Sequence, residues 1–215
     1  MPLHIARDRI DVPTEDEAQR LRREYDGQHY IRVPSFFAAD LLQWTRDRLS
    51  TAPFTWQIHA DLDPPARNLR LGDPALQLTL RTLFNDARLF GAVERVTGCN
   101  RVGCCLTNAY YLDASPDARD AWHGDIDGNR LVAISVNVGG PYEGGTLQIR
   151  ERESRRIVSK VDNNGDGSAV IFRLRDDLEH CVAPVTVGRR LAIAGWFQRT
   201  PNARDLLHLR AIPNP

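Results

Sequence analysis

No run in this chain approaches 18 consecutive apolar residues, so the sequence encodes no bilayer-spanning helix and no membrane partner is expected. The first residues, MPLHIARDRIDVPTEDE, lack the apolar core of a secretory signal, and a cytoplasmic protein is expected. Charge of one sign is missing too: 28 Lys and Arg balance 28 Asp and Glu. A chain without net charge has no overall field to gather nucleic acid, which weakens that class of partner. Cysteine is scarce, with Cys99, Cys104, Cys105 and Cys181 only, and no C-x-x-C pair. That excludes a zinc or disulfide framework and leaves reduced thiols packed as small apolar groups. No internal repeat or low-complexity tract is present.

What is present is ordinary globular material, 42% hydrophobic and 26% charged over 215 residues, enough to enclose a core without staples. We expect one domain over 1–215, with 1–98 a mostly helical support layer and 99–200 a β-rich catalytic core. Thr14 and Glu17 have capping-box spacing ahead of Ala18, Leu21 and Tyr25, and Gly27 is placed to close that helix. HYIRVPSFF reads as a short strand broken at Pro34, and AADLLQWTRDRLS as an amphipathic helix. Residues 52–72 mix aromatics, Pro and Asp and read as a long loop or irregular strand. Asp73 then caps a helix whose first position is Pro74, and a further helix ends at Gly98. Beyond Gly98, seven short β-branched runs alternate with turn signals such as GGPYEGG and NNGDG. Strands at that spacing make a sandwich or barrel.

The chemistry is concentrated in AWHGDID. On a strand, residues two apart point the same way, so His123 and Asp125 present an imidazole and a carboxylate to one side. Gly124 keeps bulk out of the gap. Alone, H-x-D is a weak signal. His180, 55 residues after Asp125 at the start of an apolar strand, strengthens it. Two histidines and one carboxylate on one side of an ion, with open positions opposite, is the ligand set of non-haem Fe(II) oxygenases. Arg190 follows His180 by ten residues. Alternation puts Arg190, Ala192, Ala194 and Trp196 on one face and Leu191, Ile193, Gly195 and Phe197 on the other. If the first face points inward, Arg190 is a buried guanidinium beside small residues, shaped for a bidentate carboxylate. Periodicity leaves the inward face undecided.

These residues resemble the Fe(II)/2-oxoglutarate-dependent oxygenases, in particular their prolyl-4-hydroxylase-like branch. The resemblance rests on His123 and Asp125, then His180, Val182, Pro184, Val185, Gly188, Arg190, Trp196 and Phe197. GGTLQIR (Gly144, Gly145, Leu147), GDGSAVIF and GQHYIRVPSFFAADLL also resemble segments of that branch, and the similarity runs from about Gly27 to Gln198. It implies a mainly β fold with α, a double-stranded β-helix of the jelly-roll or cupin-like kind backed by N-terminal helices. It implies His123, Asp125 and His180 as iron ligands and as the catalytic centre. Arg190 and Tyr110, with Asn108 beside it, would bind the cosubstrate. Tyr110 and Tyr111 occupy opposite faces, and the N-x-Y arrangement favours Tyr110.

The implied cofactors are Fe(II), 2-oxoglutarate and O₂, with ascorbate admitted as an accessory reductant. The implied reaction is hydroxylation of an aliphatic C–H in an amino-acid-type substrate, peptidyl or free, with release of succinate and CO₂. Asp125 matters here, since relatives that halogenate carry a small residue at that place. The rival readings are a cupin-like metal dioxygenase that needs no 2-oxoglutarate and a non-catalytic barrel that binds peptide or nucleic acid. Arg190 argues against the first and the intact triad against the second. Specificity is expected in residues 52–72 and 112–121 and the hairpin around 150–160.

Several features read as structural. DNNGDG lacks the Glu of a calcium loop, since Arg173 stands there, and is expected to be a turn. His4 and His59 read as surface or loop histidines, and His208 as part of a C-terminal element outside the barrel. RERESRR reads as a solvated edge or hairpin, and Trp122 as packing beside the site.

Overall fold

The structure, a computed structural model, describes residues 3–62, 64–162 and 166–201. In chain order the elements are β1 (His4–Ile5), β2 (Ile10–Asp11), α1 (Glu15–Gln28), β3 (Tyr30–Val33), α2 (Ala39–Ser50), β4 (Phe54–His59), β5 (Ala66–Leu71), α3 (Pro74–Thr82) and α4 (Ala87–Thr97). There follow β6 (Cys104–Asp113), β7 (Arg130–Asn137), β8 (Glu143–Gly144), β9 (Leu147–Glu151), β10 (Ile157–Val161), β11 (Ala169–Arg173), β12 (Leu178–Val182), β13 (Val185–Val187) and β14 (Arg189–Gln198).

Local signals explain the helix ends. Thr14 and Glu17 form the reciprocal capping box at the start of α1, whose buried stripe is Ala18, Leu21 and Tyr25. The helix runs past Gly27 and closes at His29, which takes the left-handed conformation at φ 69°. The His29 N–H donates to the Tyr25 carbonyl, so position along the turn outweighed glycine's intrinsic preference. Asp73 accepts the N–H groups of Ala75 and Leu76 to begin α3, with Pro74 at its first position. Asp86 caps α4 and Gly98 ends it at φ 70°.

A seven-stranded antiparallel sheet in the order β3-β11-β7-β14-β6-β5-β4 forms one wall, and a three-stranded sheet β10-β9-β12 forms the other. Period-two alternation gives the large sheet two different faces. Val132, Ile134 and Val136 of β7, with Ile193 and Phe197 of β14, pack against the helices together with Phe36, Phe37, Phe84 and Leu89. Ala133, Val170, Phe172 and Leu112 point the other way and meet Leu147, Ile149, Leu178 and Val182 of the small sheet. Burying each large side chain stabilises the fold by roughly 1.5–3 kcal/mol, so the helical layer is a main source of stability. Two facing antiparallel sheets with helices behind the larger one are the expected double-stranded β-helix.

The N-terminal segment also supplies strands. β3 pairs with β11 at one edge. β4 and β5 pair in regular antiparallel register and extend the other edge through β6, where a long loop or irregular strand was expected. The four cysteines are free thiols.

Candidate active site

His123 lies in the connection between β6 and β7, and His180 lies on β12. A two-way backbone pair fastens them: the His123 N–H donates to the His180 carbonyl at 3.1 Å and the His180 N–H returns the bond at 2.9 Å. Their rings stand 4.3 Å apart. The H-x-D segment was expected on a strand. In fact His123 makes an isolated bridge and Asp125 sits in irregular chain beyond it. The space beside Gly124 is held by the Arg152 guanidinium, which a Cβ there would meet at 2.6 Å.

Asp125 Oδ2 lies 3.7 Å from His123 Nε2 and 3.3 Å from His180 Nε2. All three ligand atoms fall within 4.8 Å of one another. Bonds of about 2.0–2.2 Å to one ion put neighbouring ligand atoms about 3 Å apart, so the donor set fits a single metal. The His123 Nδ1 meets the Ala121 carbonyl at 2.8 Å. That contact holds the proton on Nδ1 and leaves the Nε2 lone pair for an ion. Asp120 braces the same region: one oxygen accepts the Val182 N–H at 2.8 Å and the other the Ala121 N–H at 2.9 Å.

Asp125 is also oriented from outside the triad. Trp196 Nε1–H donates to Oδ2 at 2.8 Å, and Arg130 reaches Oδ1 at 3.2 Å. Arg130 is itself stacked 3.7 Å above the Trp196 ring. Burial pushes the Asp125 carboxyl up, but His180, His123 and Trp196 outweigh it and hold the group well below the usual carboxylate range. Burial likewise pulls His123 down, and the carboxylates of Asp120 and Asp125 reverse that. Asp125 is thus held in the ionised form that a metal ligand requires.

Arg190 faces inward and is 2% exposed. Its Nη1 donates to the Tyr110 hydroxyl at 2.8 Å and its Nη2 to the Ser135 hydroxyl at 3.0 Å, while Nε has no partner. Tyr142 contributes a third hydroxyl to Arg190 and accepts from the Asn137 amide. Gly145, at φ 64°, permits this approach: a Cβ there would stand 3.0 Å from the Arg190 side chain and 2.8 Å from the Tyr142 ring. Among the described residues no carboxylate lies within ion-pair distance of Arg190. A buried guanidinium surrounded by neutral hydroxyls is a receptor for an external anion. Asn108 sits on the same face of β6 as Tyr110, and its side-chain oxygen accepts from Arg81 at 2.9 Å. Tyr111 points to the other face, against Phe54 and Arg189.

The triad, Arg190, Tyr110 and Asn108 all open on one cavity of about 870 Å³. The sequence reading missed much of its wall. Ser135 in that wall, and Tyr142 behind it against Arg190, carry no motif of their own. His59, read as a surface or loop histidine, lines this cavity together with Asn68 and Arg70 from the β4–β5 hairpin. Of the residues read as structural, Trp122 packs under the Arg150 guanidinium at 4.1 Å, and Arg150 pairs with Glu179. Arg152 reaches back over Gly124 to Glu179, and the remainder of RERESRR turns the β9–β10 hairpin at the surface, where Arg156 pairs with Glu151. His4 pairs with the Ser35 carbonyl. Asp166 and Gly167 make a bend after the DNN segment. Asn164 and His208 lie outside the described residues.

Comparison with known proteins agrees with this arrangement. No curated protein sequence matches the chain. The sequence model of the 2OG-Fe(II) oxygenase superfamily matches residues 107–198. Among solved structures, an oxidoreductase of the 2OG-Fe(II) oxygenase family from Burkholderia pseudomallei is 14% identical with a TM-score of 0.67, covering 95% of this chain and 99% of that one. A Pseudomonas putida prolyl-4-hydroxylase is 16% identical with a TM-score of 0.60, over 86% of this chain and 100% of its own. A prolyl hydroxylase from Trichoplax adhaerens, in complex with a hypoxia inducible factor peptide fragment, is 15% identical with a TM-score of 0.62, over 94% of each chain. Shared fold, the His-Asp-His donor set and the matched segment together identify residues 107–198 as a 2OG-Fe(II) oxygenase superfamily region, in an enzyme that uses Fe(II) and 2-oxoglutarate.

Proposed function

We propose that the protein hydroxylates an aliphatic C–H bond of an amino-acid-type substrate, peptidyl or free, releasing succinate and CO₂. The observation that carries this reading is the buried Arg190 guanidinium, which has hydroxyl partners but, among the described residues, no carboxylate, and which opens on the same cavity as the triad. His123, Asp125 and His180 hold iron through two Nε2 atoms and one carboxylate oxygen. Arg190 and Tyr110 grip the distal carboxylate of 2-oxoglutarate, and Asn108 borders it. Trp196 and Arg130 keep Asp125 aimed at the ion, and the apolar wall of Leu147, Phe172 and Val182 limits water beside it. Iron held there would supply the chemistry that couples 2-oxoglutarate and O₂ to oxidation of a substrate C–H bond. Retention of Asp125 supports hydroxylation over halogenation, and the likeness to two prolyl hydroxylases supports an amino-acid-type substrate.

The test is succinate release with Fe(II) and 2-oxoglutarate against pools of free amino acids, peptides and cell metabolites. Turnover by the wild type with at least one pool, abolished in His180→Ala and Asp125→Ala, is expected. Full turnover in Asp125→Ala contradicts the ligand assignment.

A further inference from the structure

Of the four arginines that line the cavity, the metal and cosubstrate readings leave Arg70 unused. Arg70 stands on β5 opposite Thr55 of β4 and Tyr110 of β6, so its side chain shares their cavity-facing side. It is half-buried, and burial works against its charge. Among the described residues Arg70 has no carboxylate within ion-pair distance and donates no side-chain hydrogen bond. A partly desolvated guanidinium held on a paired strand without an anion is costly unless a ligand completes it.

A second group beside it is also incomplete. Asn68 is two residues before Arg70 and opposite Gln57, on the same face. Its side-chain oxygen is buried and accepts no hydrogen bond. Residues i and i+2 on a strand stand about 6–7 Å apart at their α-carbons, close enough for both side chains to reach one small group. One cation and one acceptor so placed match a carboxylate with an N–H donor next to it. Arg190 is taken by the cosubstrate carboxylate in the oxygenase reading, which leaves Arg70 for a second anion in the same cavity.

We infer that the substrate presents a free carboxylate with a neighbouring N–H, gripped by Arg70 and Asn68. This rests on the oxygenase reading of the site and narrows its substrate to a free amino acid or the C-terminal residue of a peptide. An internal peptide residue lacks the carboxylate.

Equilibrium dialysis with a mass-spectrometric readout tests the inference without turnover. The protein, with Mn(II) and saturating 2-oxoglutarate, is dialysed against three pools: free L-amino acids, tripeptides with free C-termini, and the same tripeptides C-terminally amidated. A parallel set contains Mn(II) alone. The wild type is expected to retain members of the first or second pool and none of the third, and the retained pool identifies the source of the carboxylate. Arg70→Gln is expected to weaken retention at least tenfold, with Arg70→Lys between the two, each variant first shown to melt as the wild type does. Retention of amidated peptides as strong as of free acids, no acid retained by the wild type, or indifference to Arg70→Gln overturns the inference. Should the variants fail to fold, the wild-type comparison of free and amidated pools decides alone. Retention of 2-oxoglutarate itself reads the oxygenase site separately. Its absence from the wild type would sink the proposed function, while the Mn(II)-only arm still reports on Arg70.

Discussion

Trp196 donates its indole N–H to Asp125 at 2.8 Å from the same strand that carries Arg190. β14 therefore serves both halves of the site: one residue aims a metal ligand, and another, six positions earlier, faces the anion pocket. Alternation along the strand puts both on one side, with Ala192 and Ala194 leaving room between them.

Removing that indole donor should loosen the metal. A hydrogen bond to a charged group is worth about 1.5–3 kcal/mol, and losing an outer-shell partner typically lowers metal affinity about 10–100-fold. Trp196→Phe keeps the ring under Arg130 and deletes only the donor. Mn(II) affinity measured by calorimetry should fall by about tenfold or more; an unchanged affinity would show that Arg130 alone orients the carboxylate.

Arg190 should prove costly to the ligand-free protein and necessary to the loaded one. Replacing a buried charge with an apolar group of similar volume is often neutral or stabilising by about 1–4 kcal/mol. Arg190→Met is expected to melt at or above the wild-type temperature while 2-oxoglutarate binding weakens by about 2–5 kcal/mol. A variant that melts far lower with 2-oxoglutarate affinity intact would make Arg190 a structural cation.

Acid should release the start of α4. The Arg88 guanidinium, together with backbone N–H groups, holds the Asp86 carboxyl down at about 2. The ordinary value is about 3.9, so this cap stabilises the fold fully above about pH 4 and is lost as pH falls through 2. Asp86→Ala should cost about 0.5–2 kcal/mol in urea unfolding at pH 7. The difference from wild type should shrink on acidification, and a constant difference down to pH 2 would refute the sign.

Gly195 should tolerate no side chain. A Cβ there would sit 1.8 Å from the Leu106 carbonyl oxygen, where β14 pairs with β6. Because the obstacle is backbone, Gly195→Ala should destabilise by about 1–3 kcal/mol at the least. Thermal unfolding at wild-type temperature would mean that the two strands can separate without penalty.

Local chemistry made much of this legible from sequence. The Thr14–Glu17 box, the Asp73-Pro74 start and the Gly98 stop act within a few residues and hold in the structure. All seven β-branched runs after Gly98 became strands. His123, Asp125 and His180 were marked by residue type and spacing and meet in space. The inward direction of Arg190 was not legible, because both faces of β14 alternate equally well; only the helices packed behind Ile193 and Phe197 decide it. The β4–β5 hairpin was obscured for the opposite reason. Its apolar residues Trp56 and Ile58 are 46% and 54% exposed, whereas polar Thr55, Gln57 and His59 line the cavity. A strand facing a wet pocket inverts the usual pattern, so hydrophobic alternation points the wrong way.

The reciprocal bonds between the His123 and His180 main chains have a thermodynamic corollary. Because the chain itself spaces the two imidazoles, iron finds its seat already shaped, and little ordering entropy remains to be spent on capture. The empty protein should then survive chelation with its architecture intact and accept a fresh ion at a rate governed by shedding hydration water, as a reloadable catalyst rather than one that unravels when stripped.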